Sequence, residues 1–108
     1  MKLKINGKKM DIIVAQKMKD RFFGLMGKEN IDYGMLFPKC NAIHTFFMKE
    51  KIDVIGLNED HQIIYIYRSV PKNKVVSISE DVKKTSILEL PNNTSKNLMI
   101  GSILRFED

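Results

Sequence analysis

Short apolar stretches separated by polar turns predict a chain built mainly from β-strands. Leu3 and Ile5 alternate with lysines, and the dipeptide Asn6-Gly7 follows them. Both central positions of a tight two-residue hairpin turn need positive φ, which Asn and Gly tolerate best. We therefore predict an opening hairpin whose second strand runs from Lys8 to Val14. Further strands are predicted at residues 34–37, 62–67, 75–78, 85–90 and 103–106.

The stretch at residues 43–58 has an apolar run on each side of a charged triplet at residues 49–51. Two antiparallel strands joined by a turn have this pattern, so we predict a central hairpin around which the rest of the chain is organised. A two-residue loop would place His44 and Asp53 on one face of the sheet, and a three-residue loop would place them on opposite faces. Both registers remain open from the sequence.

One segment follows helical rather than strand spacing. Its apolar stripe consists of Ala15, Met18, Phe22, Leu25 and Met26. This spacing predicts a helix over residues 16–26 that buries the stripe against the sheet, with Gly27 as its left-handed cap. Gly24 within this segment indicates either close approach by another backbone or a harmless position near the helix end.

The length of 108 residues predicts one domain over residues 1–108. Together with the strand pattern, it predicts a compact α+β fold. The expected architecture is an antiparallel, partly closed, barrel-like sheet of about six to eight strands, with the predicted helix packed on one side.

The composition favours a cytoplasmic protein that makes no contact with a membrane. No apolar run approaches the ~20 residues that span a bilayer. Lysines interrupt the apolar positions at the start of the chain, unlike the core of a signal peptide. Cys40 is the single cysteine of the sequence and has no internal disulfide partner.

The net charge of +5 is concentrated at the start of the sequence, where residues 1–30 hold eight Lys or Arg and three Asp or Glu. A basic patch of this kind is one signature of nucleic-acid binding. Lysines also protect an edge hairpin from unwanted strand pairing. Because no aromatic residues interleave with the lysines, we expect no specific nucleic-acid binding.

Five fragments occur in a recognisable order and spacing, namely residues 21–26, 34–37, 44–48, 52–55 and 88–91, which read RFFGLM, GMLF, HTFFM, IDVI and LELP. In this order they resemble the family catalogued as domain of unknown function 192, over residues of about 20–106. The resemblance implies a compact, strand-rich α+β domain with one helix early in the chain, and it implies no established activity. Many relatives look exported or lipid-anchored, with a leader that the start of this sequence does not resemble.

The sequence departs from the usual family pattern at three places. It has Met-Lys-Glu-Lys at residues 48–51, where the family often has Met-Lys-Asn-Thr. Asn92 follows Leu-Pro where the family often has Gly, and Ser102 follows Gly101 where the family often has Asp. A shared site that used that family Asn or Asp would be altered in this chain.

Asp53 and Glu89 are carboxylates in the middle of predicted strands, where burial without a partner costs several kcal/mol. If their environments separate their pKa values, the pair can act as general acid and base. In the structural interpretation, Asp53 binds backbone N–H groups, and Glu89 pairs with Arg21 or a lysine. We predict that Arg21 pairs with one of the two, preferentially with Glu89 because its side chain reaches further.

Histidine is the residue type suited to proton transfer at neutral pH, and the predicted strand face of His44 also carries Phe46 and Met48. His44 is either a hydrogen-bonded core residue or part of a site. Cys40 and His44 form a thiol and base pair without an orienting third group. Together with His61, these two residues could be imagined as zinc ligands, but structural zinc sites usually have ligand pairs closer together in the sequence. We therefore predict neither a metal nor another cofactor.

These observations favour a small, non-catalytic ligand-binding or accessory module whose partner is a small ligand or another protein. The predicted binding patch comprises Arg21, His44, Met48, Asp53 and Glu89. One alternative is a small hydrolase-like enzyme that uses Asp53 or Glu89 with His44. A second alternative is weak nucleic-acid binding through the N-terminal lysines. The first two differ in whether His44 and the carboxylates converge in one pocket.

Overall fold

The opening hairpin forms as its alternating pattern predicts, in a computed structural model that describes residues 1–17 and 24–108. Strand β1 (Lys2–Ile5) pairs antiparallel with strand β2 (Lys8–Val14). The turn residues Asn6 and Gly7 have φ values of 52° and 78°. The turn therefore has the conformation that the Asn-Gly dipeptide predicts.

Seven more strands and one short helix follow in the part of the chain that the structure describes. In chain order they are β3 (Gly34–Phe37), β4 (Ala42–His44), β5 (Ile52–Leu57), β6 (Ile63–Val70), β7 (Val75–Ser77), the 3-10 helix Val82–Lys84, β8 (Ser86–Pro91) and β9 (Phe106–Glu107). The strands predicted at 34–37, 75–78 and 85–90 match β3, β7 and β8 to within a residue at each end.

Seven strands form an open sheet in the order β6-β5-β8-β3-β2-β1-β9, and β4 and β7 form a separate two-stranded sheet. Strands β2 and β3 run parallel, while the other neighbours in the large sheet run antiparallel. The predicted partly closed, all-antiparallel sheet is therefore wrong. The chain leaves β2 and returns as β3 in the same direction, which needs a crossover rather than a hairpin.

The predicted α+β class with one main helix is also wrong, because the part of the chain that the structure describes contains no α-helix. Gln16 and Lys17 have no regular structure, and residues 24–27 form a turn. Gly24 and Gly27 have φ values of 51° and 73°, which a right-handed helix does not permit. Leu25 is nevertheless buried, at 1% exposure. Leu25 therefore fits the apolar pattern because the turn inserts its side chain into the core.

The rest of the predicted helix, residues 18–23, lies outside the described residues. The expected burial of Met18 and Phe22 and the predicted pairing of Arg21 fall in this segment and stay predictions. In the described part of the chain, no helix is long and apolar enough to cross a membrane.

The predicted central hairpin at residues 43–58 does not form. Strand β4 ends at His44, β5 begins at Ile52, and the segment between them carries the chain from the small sheet to the large one. Strand β5 pairs with β6 and β8 instead. The cause is Thr45, which is fully buried and holds the chain at the loop between β6 and β7.

Thr45 should contribute measurably to stability. Its Oγ1 donates a hydrogen bond to the carbonyl of Pro71 at 2.6 Å and accepts one from the backbone N–H of Lys74 at 2.9 Å. Thr45→Val keeps the shape and removes both bonds, so we expect a loss of about 1–3 kcal/mol in the free energy of unfolding by denaturant. Thr94→Val is the control, because the half-buried Thr94 hydroxyl makes one such bond, to Pro91. Equal losses in the two variants would contradict this role for Thr45.

The central strands β3, β5 and β8 are buried on both faces, whereas β1 and β2 expose one face. One apolar cluster includes Leu3, Ile5, Ile12, Leu36, Ile55, Leu57, Ile63, Leu88 and Leu90. Since these side chains come from strands near both edges, the sheet curves around this cluster. The second cluster includes Leu25, Met35, Phe37, Met48, Val54, Val76 and Ile87, and it packs the small sheet and the 24–27 turn onto the opposite face.

Candidate functional site

The two strand carboxylates lie on opposite faces of the large sheet. In the pairing of β5 with β8, Asp53 is opposite Leu90, and Val54 is opposite Glu89. Directly opposite residues share a face, and successive residues of a strand alternate between faces. Asp53 therefore points to the side of the first cluster, and Glu89 points to the side of the second, beside Met35. The two groups are not arranged as an acid and base pair.

Asp53 is fully buried and accepts hydrogen bonds at both oxygens. Its Oδ1 accepts from the backbone N–H of Ser69 at 2.9 Å, and its Oδ2 accepts from the backbone N–H of Ser95 at 3.0 Å and from the Ser95 hydroxyl. Ser69 has a φ of 54°, where the pairing of β5 and β6 shifts register. Through these hydrogen bonds, Asp53 holds the irregular part of β6 and the turn after β8 against the central strand β5.

Glu89 is buried in a very different environment. Its side chain belongs to a residue that is 4% exposed, and its Oε1 has no hydrogen-bond partner among the described residues. Burial removes the carboxylate from water and raises the pKa of Glu89 from 4.5 to about 7. The group therefore exchanges a proton near neutral pH.

Glu89 lines a pocket of about 120 Å³ between the sheet, the 24–27 turn and the chain from Cys40 to Met48. Its walls are mainly apolar and include the side chains of Leu25, Phe37, Cys40, His44, Phe46 and Met48. A concave, apolar site with few polar groups is the usual form of a small-ligand site.

Gly24 permits the 24–27 turn to pack directly onto the carboxyl group. A Cβ atom at this position would lie 3.2 Å from Oε1 of Glu89 and 3.2 Å from Cζ of Phe37. The close approach at Gly24 is thus made by two side chains, not by another backbone. Its positive φ also strains any larger residue, so glycine is required here for both conformation and space.

His44 is exposed and lines the same pocket. Its Nδ1 accepts a hydrogen bond from the backbone N–H of Phe46 at 3.2 Å. The two rings stack with centroids 5.1 Å apart and planes 27° apart. Because Nδ1 is the acceptor, the neutral ring carries its proton on Nε2, which is left to donate.

The structure brings together three members of the predicted patch, namely His44, Met48 and Glu89. Asp53 is on the other face, and Arg21, predicted to pair with one of the two carboxylates, lies outside the described residues. Gly24 and Phe46 also line the pocket, and neither belongs to the predicted binding patch. The glycine within an apolar segment was a signal for the first. For the second, the signal was its predicted position on the same face as His44 and Met48.

The three side chains considered for zinc are not gathered into one site. The Cys40 thiol donates to the Ala42 carbonyl at 3.2 Å, next to the pocket. His61 instead packs edge-on against Phe106, with ring centroids 5.0 Å apart. Over residues 1–17 and 24–108, no group of three His, Cys, Asp or Glu side chains is placed to hold a metal ion.

Two solved structures share this fold. A protein of unknown function from Novosphingobium aromaticivorans superposes with a TM-score of 0.79 at 13% identity, covering 97% of this chain and 82% of that one. A protein from Sinorhizobium meliloti described as a "putative transcription regulator" gives a TM-score of 0.75 at 20% identity, covering 96% and 89%. At these identities the likeness shows the fold alone.

Similarity of sequence, in contrast to similarity of fold, identifies the family of this chain. It is 36% identical over 64 residues to a UPF0127 protein of Thermococcus sibiricus, an alignment that covers 54% of this chain and 42% of that protein. The chain thus matches less than half of the length of that curated relative. The family model described as "Uncharacterized ACR" matches residues 1–106. The chain therefore belongs to the family catalogued as domain of unknown function 192, as its motifs predict.

Proposed function

We propose that this chain is a non-catalytic binding module whose ligand enters the pocket at Glu89. The observation that carries the proposal is the buried Oε1 of Glu89, which has no partner among the described residues and lies at the wall of a pocket. Burying such a group unpaired costs several kcal/mol. A ligand that donates a hydrogen bond to Oε1 would recover much of that cost.

The size of the pocket limits what can enter it. Its volume of about 120 Å³ is slightly below that of a ~150 Å³ cavity that takes one benzene molecule. The inserted part of the ligand therefore has about five non-hydrogen atoms. The apolar walls favour a mainly hydrocarbon group that carries one polar end for Glu89.

A fragment screen by NMR tests the proposal. Small alcohols, amides and amines are added to the ¹⁵N-labelled protein, and we expect shifts centred on the amides of Cys40, His44 and Met48. Glu89→Met fills a similar volume without an acceptor and should abolish them, whereas the same substitution at the exposed Glu59 should not. The proposal fails if no fragment shifts these amides, or if the shifts persist in Glu89→Met.

A second candidate, a small hydrolase-like enzyme, is favoured by the pKa of Glu89 at about 7. A carboxyl group with this pKa can both accept and release a proton near neutral pH. His44 and Cys40 line the same pocket, so Glu89 rather than Asp53 would be the acid or base. Turnover of ester, amide or phosphate substrates that is lost in Glu89→Gln would favour the enzyme. Binding without turnover would favour the binding module.

Nucleic-acid binding is a third candidate, given the description of the Sinorhizobium meliloti neighbour. We expect weak binding that vanishes at physiological salt, because released counterions would be its main driving force. Lys2 pairs with Asp11 at 2.6 Å and Lys9 with Glu107 at 3.0 Å, which lowers the free positive charge of the hairpin. Fluorescence anisotropy with duplex and single-stranded oligonucleotides at low and physiological salt checks this. Tight, sequence-dependent binding would contradict it.

We also propose a cytoplasmic location. The free thiol of Cys40, which is half-buried beside the pocket, supports a reducing compartment. Cell fractionation followed by thiol labelling of Cys40 would test this, and recovery of the protein outside the cytoplasm would contradict it.

A further inference from the structure

We infer that the pocket takes the side chain of a lysine presented by an extended segment of a partner protein, whose backbone adds to the free edge of β4. This inference rests on the proposed binding function and names the ligand of the same site. Its grounds are the charge, the shape and the rim of the pocket.

Charge complementarity selects a cation. Glu89 offers a buried carboxyl oxygen without a partner among the described residues. A charge-assisted hydrogen bond to such an oxygen is stronger than one from a neutral donor. An ammonium group that enters the pocket would satisfy Oε1 and keep the carboxylate ionised.

The shape of the pocket selects lysine among cations. From Cβ to Nζ, a lysine side chain has five non-hydrogen atoms in an unbranched row, which is about the content that a volume of about 120 Å³ allows. Its methylene groups can lie along apolar walls while the charged end reaches a polar group. Phe37 and Met48 provide such walls. The branched, planar guanidinium of arginine needs more room.

The rim of the pocket indicates that the lysine belongs to a polypeptide. Strand β4 forms part of the wall and pairs only with β7, so one of its edges is unpaired within the described sheets. The N–H of Thr45 bonds to the carbonyl of Lys74, and the N–H of Ile78 bonds to the carbonyl of Asn41. In an antiparallel pair, the N–H and C=O groups of successive residues point alternately toward the partner strand and away from it. Since Asn41 and Thr45 bond to the chain of β7, the backbone groups of Ala42 and His44 point away from β7.

An extended peptide that pairs with this edge would place alternate side chains on the side of the pocket, as in other cases of strand addition. Phe46 and Phe47 extend the surface beyond the strand, at 41% and 77% exposure. Phe47 has a φ of 63°, a strained conformation for an aromatic residue, and its carbonyl accepts from the N–H of Gly27 at 3.1 Å. The rim thus holds an aromatic surface at the point where the peptide would leave β4.

Binding of the ammonium should depend on pH. Among the described residues, the titratable groups that line the pocket besides Glu89 are His44 and Cys40, and the 24–27 turn and strands β3 and β5 contribute apolar groups. Because the free carboxyl titrates at about 7, affinity should fall by about tenfold per pH unit below that value and level off above it.

Labelled peptides of alternating Thr and Val with one central lysine provide the test, by fluorescence anisotropy at about pH 8 and pH 6. We expect the lysine peptide to bind at least about tenfold tighter than the same peptide with norleucine, and Glu89→Gln to remove that difference. Glu59→Gln is the charge control and should bind like the wild type. n-Butylammonium should compete only at about a hundredfold higher concentration, because it lacks the backbone contacts.

Three outcomes would overturn the inference: equal affinity for the norleucine peptide, equal affinity for n-butylammonium and the peptide, or no binding of either. In the last case, fragment shifts at Cys40, His44 and Met48 that depend on Glu89 would leave the proposed binding function standing with another ligand. Absence of those shifts as well would remove both.

Discussion

Replacing Asp53 by alanine should lower the free energy of unfolding by about 3–5 kcal/mol. The variant removes the acceptor of two backbone N–H groups and one hydroxyl; Asp53 and Ser95 are fully buried, and Ser69 is half-buried. These donors come from Ser69 in β6 and from Ser95 in the turn after β8. Without Asp53 the Ser95 donors stay buried and unpaired and the Ser69 N–H loses its partner, and the loss should appear in chemical denaturation followed by circular dichroism.

Smaller changes at the same place calibrate this effect. Ser95→Ala removes the hydroxyl bond and keeps the backbone bond, so it should cost about 1–2 kcal/mol. Asp60→Ala, at an exposed turn position, should change stability by less than about 0.5 kcal/mol. If Asp53→Ala cost no more than Asp60→Ala, the assignment of Asp53 to the scaffold would be wrong.

Between pH 4.5 and about pH 7, titration of Glu89 should change the free energy of unfolding by about 3 kcal/mol, and Glu89→Gln should remove this pH dependence. In the folded protein the pKa is about 7, and the ordinary value is 4.5, so the folded state binds the proton more tightly. The resulting stabilisation is present in full below 4.5. It declines as the pH rises and is lost once the pH has passed about 7.

Glu89→Gln mimics the protonated, neutral carboxyl group at every pH. The variant should therefore gain stability relative to the wild type as the pH rises from about 5 to about 8, and the difference should level off above that. Denaturation curves at several pH values measure it. Glu59→Gln, at an exposed position, should show no comparable trend. A constant difference between Glu89→Gln and the wild type across this range would contradict the raised pKa.

Features that depend on neighbouring residues could be predicted from the sequence. The turn at Asn6 and Gly7 needs only its own φ values, and the hairpin around it was predicted correctly. The helix predicted over residues 16–26 is wrong where the structure describes it, at residues 16–17 and 24–26, because apolar residues three and four apart also fit a turn that inserts Leu25 into the core. Gly24 was the local sign that the chain adopts positive φ before the predicted helix end.

Features that depend on distant pairing could not be predicted. The charged triplet at residues 49–51 resembles a hairpin turn, but Thr45 is held by Pro71 and Lys74, which are 26 and 29 residues away. Asp53 and Glu89 gave the same signal, a carboxylate within an apolar strand. The register of β5 against β8 separates them into a scaffold residue and a pocket residue, and no local pattern encodes that register.

A titration of the Glu89 carboxyl group by ¹³C NMR tests the central claim most directly. Labelled glutamate gives one carboxyl signal per residue, and Glu89→Gln identifies the signal of Glu89 by its loss. We predict that this signal titrates with a midpoint of about 7, far above the ordinary glutamate value of 4.5. A midpoint at or below 4.5 would contradict the account, because it would mean that a cation such as Arg21 already satisfies the carboxylate.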